Sequence, residues 1–137
     1  LAVAGVGFGL DFLVTTDLEK IHLTVESLLQ AVQEEDCRGV GEVIAPDYSD
    51  SRHASREQLL IRCRQELDGP TVQRVKGRGV EVERSGSEAT VILNLFFRFE
   101  EGSRVARQYK AVALVKVRLH LRRQGGQWRI ERADTCG

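Results

Sequence analysis

An α+β fold, with three N-terminal helices packed on a curved four-stranded antiparallel sheet, is predicted for this 137-residue chain by the order of its hydrophobic periodicities. Before Pro70, apolar residues recur every three or four positions behind Ser- or Thr-led helix starts. After Pro70 they alternate with polar residues over four long segments joined by tight Gly-containing turns. A sheet lined by helices on one face is a container, and its chemistry rests on the few polar groups that line it.

The first helix is expected to begin at Thr16, because Thr16-Asp17-Leu18-Glu19 has the capping-box pattern that satisfies free amides at a helix start. Leu18, Ile21, Val25, Leu28, Leu29 and Val32 then form one stripe that ends near Glu35 or Asp36. A short second helix holds Val40, Val43 and Ile44 and stops before Pro46, since the residue preceding a proline disfavours helical geometry. Ser55-Arg56-Glu57-Gln58 is a second capping box, followed by Leu59, Leu60, Cys63 and Leu67 on one helical face, and Gly69-Pro70 closes that helix.

The first strand is expected over residues 72–84, with Gly77 and Gly79 marking a bulge or a sharp bend. Ser85-Gly86 turns into a second strand over 88–100, where Ala89, Val91, Leu93, Leu95, Phe97 and Phe99 alternate. After Glu101-Gly102 a long third strand runs from Tyr109 through Leu121, and Gln124-Gly125-Gly126 turns into a fourth carrying Trp128 and Ile130.

The length suits one domain, and 42% apolar with 29% charged residues is the composition of a globular chain. The net charge is zero but unevenly placed: 6 basic and 13 acidic residues up to Asp68, then 14 basic and 7 acidic ones. That balance gives no support to a nucleic-acid role. Cys37, Cys63 and Cys136 form no CxxC pair and are odd in number, so they read as reduced thiols, Cys63 as a small apolar side chain on its helix. His22, His53 and His120 lack zinc-ligand spacing, so no metal is expected, and no cofactor motif is present. Residues 1–15 form an apolar arm, packing on the core or a partner, or else the distal end of a membrane anchor or signal segment. Its first fourteen, mostly apolar residues fall short of the about 20 a bilayer span needs.

The order helix, short helix, helix and curved antiparallel meander, the loop Pro46-Asp47-Tyr48 and the closing strand Gln127-Trp128-Arg129-Ile130 resemble the NTF2-like superfamily over residues 16–135. That superfamily includes nuclear transport factor 2, ketosteroid isomerase, scytalone dehydratase and SnoaL-like cyclases. The resemblance implies a cone-shaped (cystatin-like) α+β roll, a cavity used for small apolar ligands, and frequent homodimerisation through the sheet. The enzymes place a Tyr, carboxyl groups or Asp and His in the cavity. Here the first helix offers no Tyr, and the strand centres carry no Asp.

Tyr48 and His53 are therefore the leading pocket residues, with Asn94, Tyr109 and Trp128 as further lining candidates. His53 is the candidate general base, acting with Tyr48 or Asp47, because an imidazole within hydrogen-bond reach of a substrate proton can accept it. Asn94 lies between Ile92 and Phe96, where a buried amide needs partners. Lys116, Arg118, His120 and Arg122 line one sheet face, and Glu81, Glu83, Glu100 and Glu131 are expected to pair with them. The function expected is non-catalytic binding of a small apolar molecule or protein segment. The alternatives are a SnoaL-like isomerase, cyclase or dehydratase, and a structural dimerisation module.

Overall fold

The computed structural model describes residues 2–67, 69–103, 106–107 and 112–136, with side chains from Asp17 onward. Three helices precede four strands: α1 (Ala2–Gln33), α2 (Cys37–Glu42), α3 (Arg56–Glu66), β1 (Val72–Ser85), β2 (Glu88–Phe99), β3 (Val112–Gln124) and β4 (Gln127–Thr135). The strands form one antiparallel sheet in chain order. That is the meander the alternating segments and short turns predict.

The helix boundaries depart from expectation at α1, which is continuous from Ala2, so Thr16 lies inside it rather than at its start. A capping box matters only where the chain leaves the helix. With no proline upstream, each added residue gains a backbone hydrogen bond and the helix propagates. Among the described residues no helix is long and apolar enough to cross a membrane. The second helix is also displaced, to Cys37–Glu42: Asp36 caps it by accepting from Gly39 N at 3.1 Å, while Ile44 leaves it to bridge Ile130 of β4. Ser55 caps α3 as expected, accepting from Gln58 N, while Gln58 Oε1 accepts from Ala54 N.

Both ends of the packed part of α1 are tied to the sheet. Asp17 accepts from the Trp128 indole at 3.2 Å and pairs with Arg123 and Arg84 at 2.9 and 3.2 Å. The Trp128 hydrogen bond, helped by the two guanidiniums, holds the Asp17 carboxyl below the usual carboxylate range. At the other end, Glu35 accepts from the backbone N–H groups of Thr71 and Val72, and Gln33 accepts from that of Val75. Between these ties Ile21 and Val25 pack against Val91, Leu93, Leu119, Leu121 and Ile130 of the concave sheet face. All seven are at most 4% exposed, so the depth of the cone is filled by side chains rather than open.

Glycine has a specific role at two points of β1. A Cβ on Gly77 would lie 3.0 Å from a methyl of Leu29 and 3.1 Å from one of Leu93, so its absence lets α1 and β2 close on each other. Gly79, at φ 61°, sits at the register shift between Arg78 and Glu81, where the glycines predict a break in the regular ladder.

The cysteine expectation is overturned. Cys37 at the start of α2 and Cys63 in α3 form a disulfide with Cα atoms 6.0 Å apart, leaving Cys136 as the free thiol. An odd count leaves one cysteine over without preventing a pair. The packing of α2 on α3 brings two residues 26 positions apart within bonding distance.

Candidate functional site

The candidate site is built by the loop between α2 and α3, residues 43–55, which is fastened along the free edge of β4. Ala45 N donates to Ile130 O and Ile130 N to Val43 O, both at 2.8 Å, and Ser49 N donates to Glu131 O at 3.2 Å. The Tyr48 N–H donates back to Ala45 O, closing a turn that places Asp47 outside and Tyr48 inside. Tyr48 is 2% exposed.

Asp50 is the hub of this loop. Its carboxylate accepts from the Tyr48 hydroxyl, from Arg52 N at 2.7 Å and from His53 N at 2.8 Å, and the His53 Nδ1 lies 3.1 Å from both oxygens. The Asp50 side chain is 5% exposed and that of His53 is 21% exposed. Burial alone would push the Asp50 carboxyl up, but the hydrogen bonds from Tyr48, Arg52 and His53 together hold it below its ordinary value. Burial, reinforced by the hydrogen bond and charge of Asp50, pushes the Tyr48 phenol far above its ordinary value, so it remains a proton donor. An ionised carboxylate offers only acceptors. Nδ1 of His53 is therefore the protonated nitrogen, and a neutral ring keeps its lone pair on Nε2, which has no partner among the described residues.

A cavity of about 190 Å³ adjoins this network, walled by Tyr48, Asp50, His53, Leu59, Val117 and Ala133. His53 also borders an open groove of about 520 Å³ along α3, lined by Arg52, Gln58, Ile61, Arg62 and Gln65. A larger open groove of about 670 Å³ lies outside the cone, between the outer edge of α1, α2 and β4, and is polar: Gln30, Glu34, Asp36, Glu42, Arg56 and Arg129 line it. Among the described residues no group of three or more His, Cys, Asp or Glu side chains is placed to hold a metal ion.

The structure separates the residues the sequence brought forward. Tyr48 and His53 lie together at the cavity. Asp47 does not join them: it is 59% exposed on the far side of its turn, 3.5 Å from Arg122. Asn94 stands on the opposite face of β2 from Val91 and Leu93, in register with Arg78 and Lys116, so it does not line the cavity. Trp128 is 3% exposed and serves as the anchor for Asp17. Tyr109 lies outside the described residues. The residue that sequence reasoning missed is Asp50; the pattern Asp-Ser-Arg-His, with an Asp three residues before a His, was the available signal for a side chain folding back on its own loop. Among the described residues, Arg122 is the one member of the basic row on β3 that pairs with a carboxylate, meeting Glu131 at 2.8 Å as well as Asp47.

Solved structures share this fold at low identity. A protein of unknown function with a cystatin-like fold from Nostoc punctiforme PCC 73102 superposes with a TM-score of 0.69 at 16% identity, covering 88% of this chain and 90% of the other. An NTF2-like protein of unknown function from Pseudomonas putida KT2440 gives 0.68 at 21% identity, covering 88% and 86%. The chain has the NTF2-like fold. A third NTF2-like neighbour, a candidate dehydratase from Streptomyces avermitilis, gives 0.67 at 15% identity, covering 88% and 95%. No protein-family model and no curated protein matches the sequence. At these identities the shared property is the NTF2-like fold, on which unrelated activities are built.

Proposed function

We propose that this NTF2-like domain binds a small, largely apolar molecule in the cavity beside Tyr48, Asp50 and His53, with His53 Nε2 as the polar contact. The observation that carries this reading is the juxtaposition of an oriented, half-buried imidazole with the apolar wall of Leu59, Val117 and Ala133. The cavity is smaller than the about 300–1,000 Å³ typical of drug-sized ligands. The ligand is therefore a fragment of a few heavy atoms, or the protruding end of a larger molecule or protein segment.

NMR detection of the His53 ring during titration with a panel of small hydroxy- and keto-compounds tests this. Binding should shift the His53 and Ala133 resonances, and Leu59→Trp, which fills the cavity, should abolish the shifts while leaving the remaining spectrum folded. Shifts that persist in Leu59→Trp, or a panel that leaves His53 untouched, would refute it.

One observation favours a second reading, catalysis. A carboxylate bound to Nδ1 and an unpartnered Nε2 is the arrangement that readies a neutral imidazole to take a proton. Proton abstraction beside a carbonyl, as in a dehydration, uses such a group, and the Streptomyces avermitilis neighbour is described as a candidate dehydratase. For any substrate turned over, His53→Gln should lower kcat by about 10²–10⁴-fold with a smaller change in KM. An unchanged kcat removes the catalytic reading and leaves the binding one standing.

A further inference from the structure

The outer face of the sheet, turned away from the helices, carries a cluster of cations without ion-pair partners among the described residues. In register across β1, β2 and β3 lie Arg74 opposite Arg98, Lys76 opposite Phe96, Arg78 opposite Asn94, and Asn94 in turn opposite Lys116. Arg118 follows, opposite Ile92. Among the described residues none of Arg74, Lys76, Arg78, Arg98, Lys116 and Arg118 has an ion pair or a side-chain hydrogen bond. The nearest acids in register are Glu81, in the row of Arg118, and Asp134, which is taken by Arg132 at 2.7 Å. Strand spacing of about 4.8 Å and a two-residue repeat of about 6.8 Å put the six backbone positions within a patch of roughly 20 by 10 Å.

Within the same patch stand exposed aliphatic side chains. Leu114, opposite Phe96, is 71% exposed, the highest value among the described large hydrophobic residues, and Val112, opposite Arg98, is 43% exposed. The other exposed large apolar residues among those described are Leu18, Leu23 and Ile61, on helices, and Val80, at the irregularity of β1 between Arg78 and Glu81.

We infer that this face docks on an anionic lipid bilayer, with Leu114 and Val112 entering the headgroup boundary and the six cations meeting lipid phosphates. Cations bordering an apolar prong combine the two forces that hold a protein at such a surface, apolar burial and attraction to anionic lipid. The alternatives fit the patch less well. A single-strand nucleic-acid platform stacks bases on aromatic rings, whereas among the described residues Phe96 is the one aromatic of the patch and its most exposed large apolar side chain, Leu114, is aliphatic. A second copy setting its own cluster on this one would bring like charges against each other. Protein interfaces are depleted of lysine and of charge at their centres.

Co-sedimentation of the chain with vesicles of phosphatidylcholine alone and of phosphatidylcholine mixed with phosphatidylglycerol tests the inference. Each cation near an anionic surface multiplies partitioning by roughly five. Lys116→Glu combined with Arg118→Glu should therefore weaken binding to the anionic vesicles by at least about 25-fold. Leu114→Ser should weaken it several-fold, and raised salt should suppress it. Attachment through the apolar start of the chain is common to all variants and to both vesicle types, so the differences isolate the sheet face. Circular dichroism and thermal melting confirm that the variants fold. Equal partitioning to neutral and anionic vesicles, or unchanged binding by the double charge reversal, would overturn the inference. So would tighter binding to single-stranded RNA than to the anionic vesicles, or a charge-dependent dimer in place of vesicle binding.

Discussion

Removing the Cys37–Cys63 bond should loosen the very segment that carries the candidate site, because Tyr48, Asp50 and His53 all lie between the two cysteines. The bond closes a loop of 26 residues. In the chain-entropy treatment, a loop of that length restricts the unfolded state by about 3.5 kcal/mol at 25 °C. For 137 residues, an unfolding entropy of about 2.1 cal/mol/K per residue converts this to a fall in Tm of about 12 °C. The perturbation is Cys37→Ser with Cys63→Ser, compared with the parent chain under oxidising conditions and again with a thiol reductant. Calorimetry or circular dichroism reads Tm, and a thiol titration of the unfolded chain should count one free group before reduction and three after. The double variant should melt well below the oxidised parent and be insensitive to reductant, and reduction should bring the parent down to it. Equal melting temperatures for oxidised parent and variant, or three free thiols in the oxidised protein, would refute the reasoning.

Two further outcomes follow from the same geometry. Asp17 and Asp50 are held below the ordinary carboxylate value in the folded chain, so their contribution is fully present above about pH 4 and is lost as pH falls through their lower folded values. Asp50→Asn should cost about 1–3 kcal/mol at neutral pH, by leaving Tyr48 and His53 with weaker partners, and should flatten the acid limb of a Tm-against-pH curve; an unaltered limb would assign the acid sensitivity elsewhere. Gly77→Ala would force a methyl against Leu29 and Leu93, and a loss of about 1–3 kcal/mol in urea denaturation is expected. No loss would mean that the two leucines move aside freely.

The strands were legible because their signal is local. Alternation over Ala89, Val91 and Leu93 names the buried face whatever the partner strand is, and paired glycines such as Gly125-Gly126, both at positive φ, announce the turn. The α3 start was legible for the same reason, since Ser55 caps amides within three residues of itself. The start of α1 was not, because a capping pattern states what a side chain can do at a helix end without stating that the helix ends there.

The amino-acid order by itself determined the succession of three helices and four antiparallel strands, and with it the NTF2-like cone. It also singled out Tyr48 and His53. Folding in three dimensions decided which residues meet: it turned Asp47 and Asn94 outward, drew Trp128 onto Asp17, joined Cys37 to Cys63, and chose Asp50 as the partner of His53. Periodicity reports the face on which a residue lies, whereas a site depends on distances between segments. Those distances are set by how α2, α3 and the loop between them close over the edge of β4.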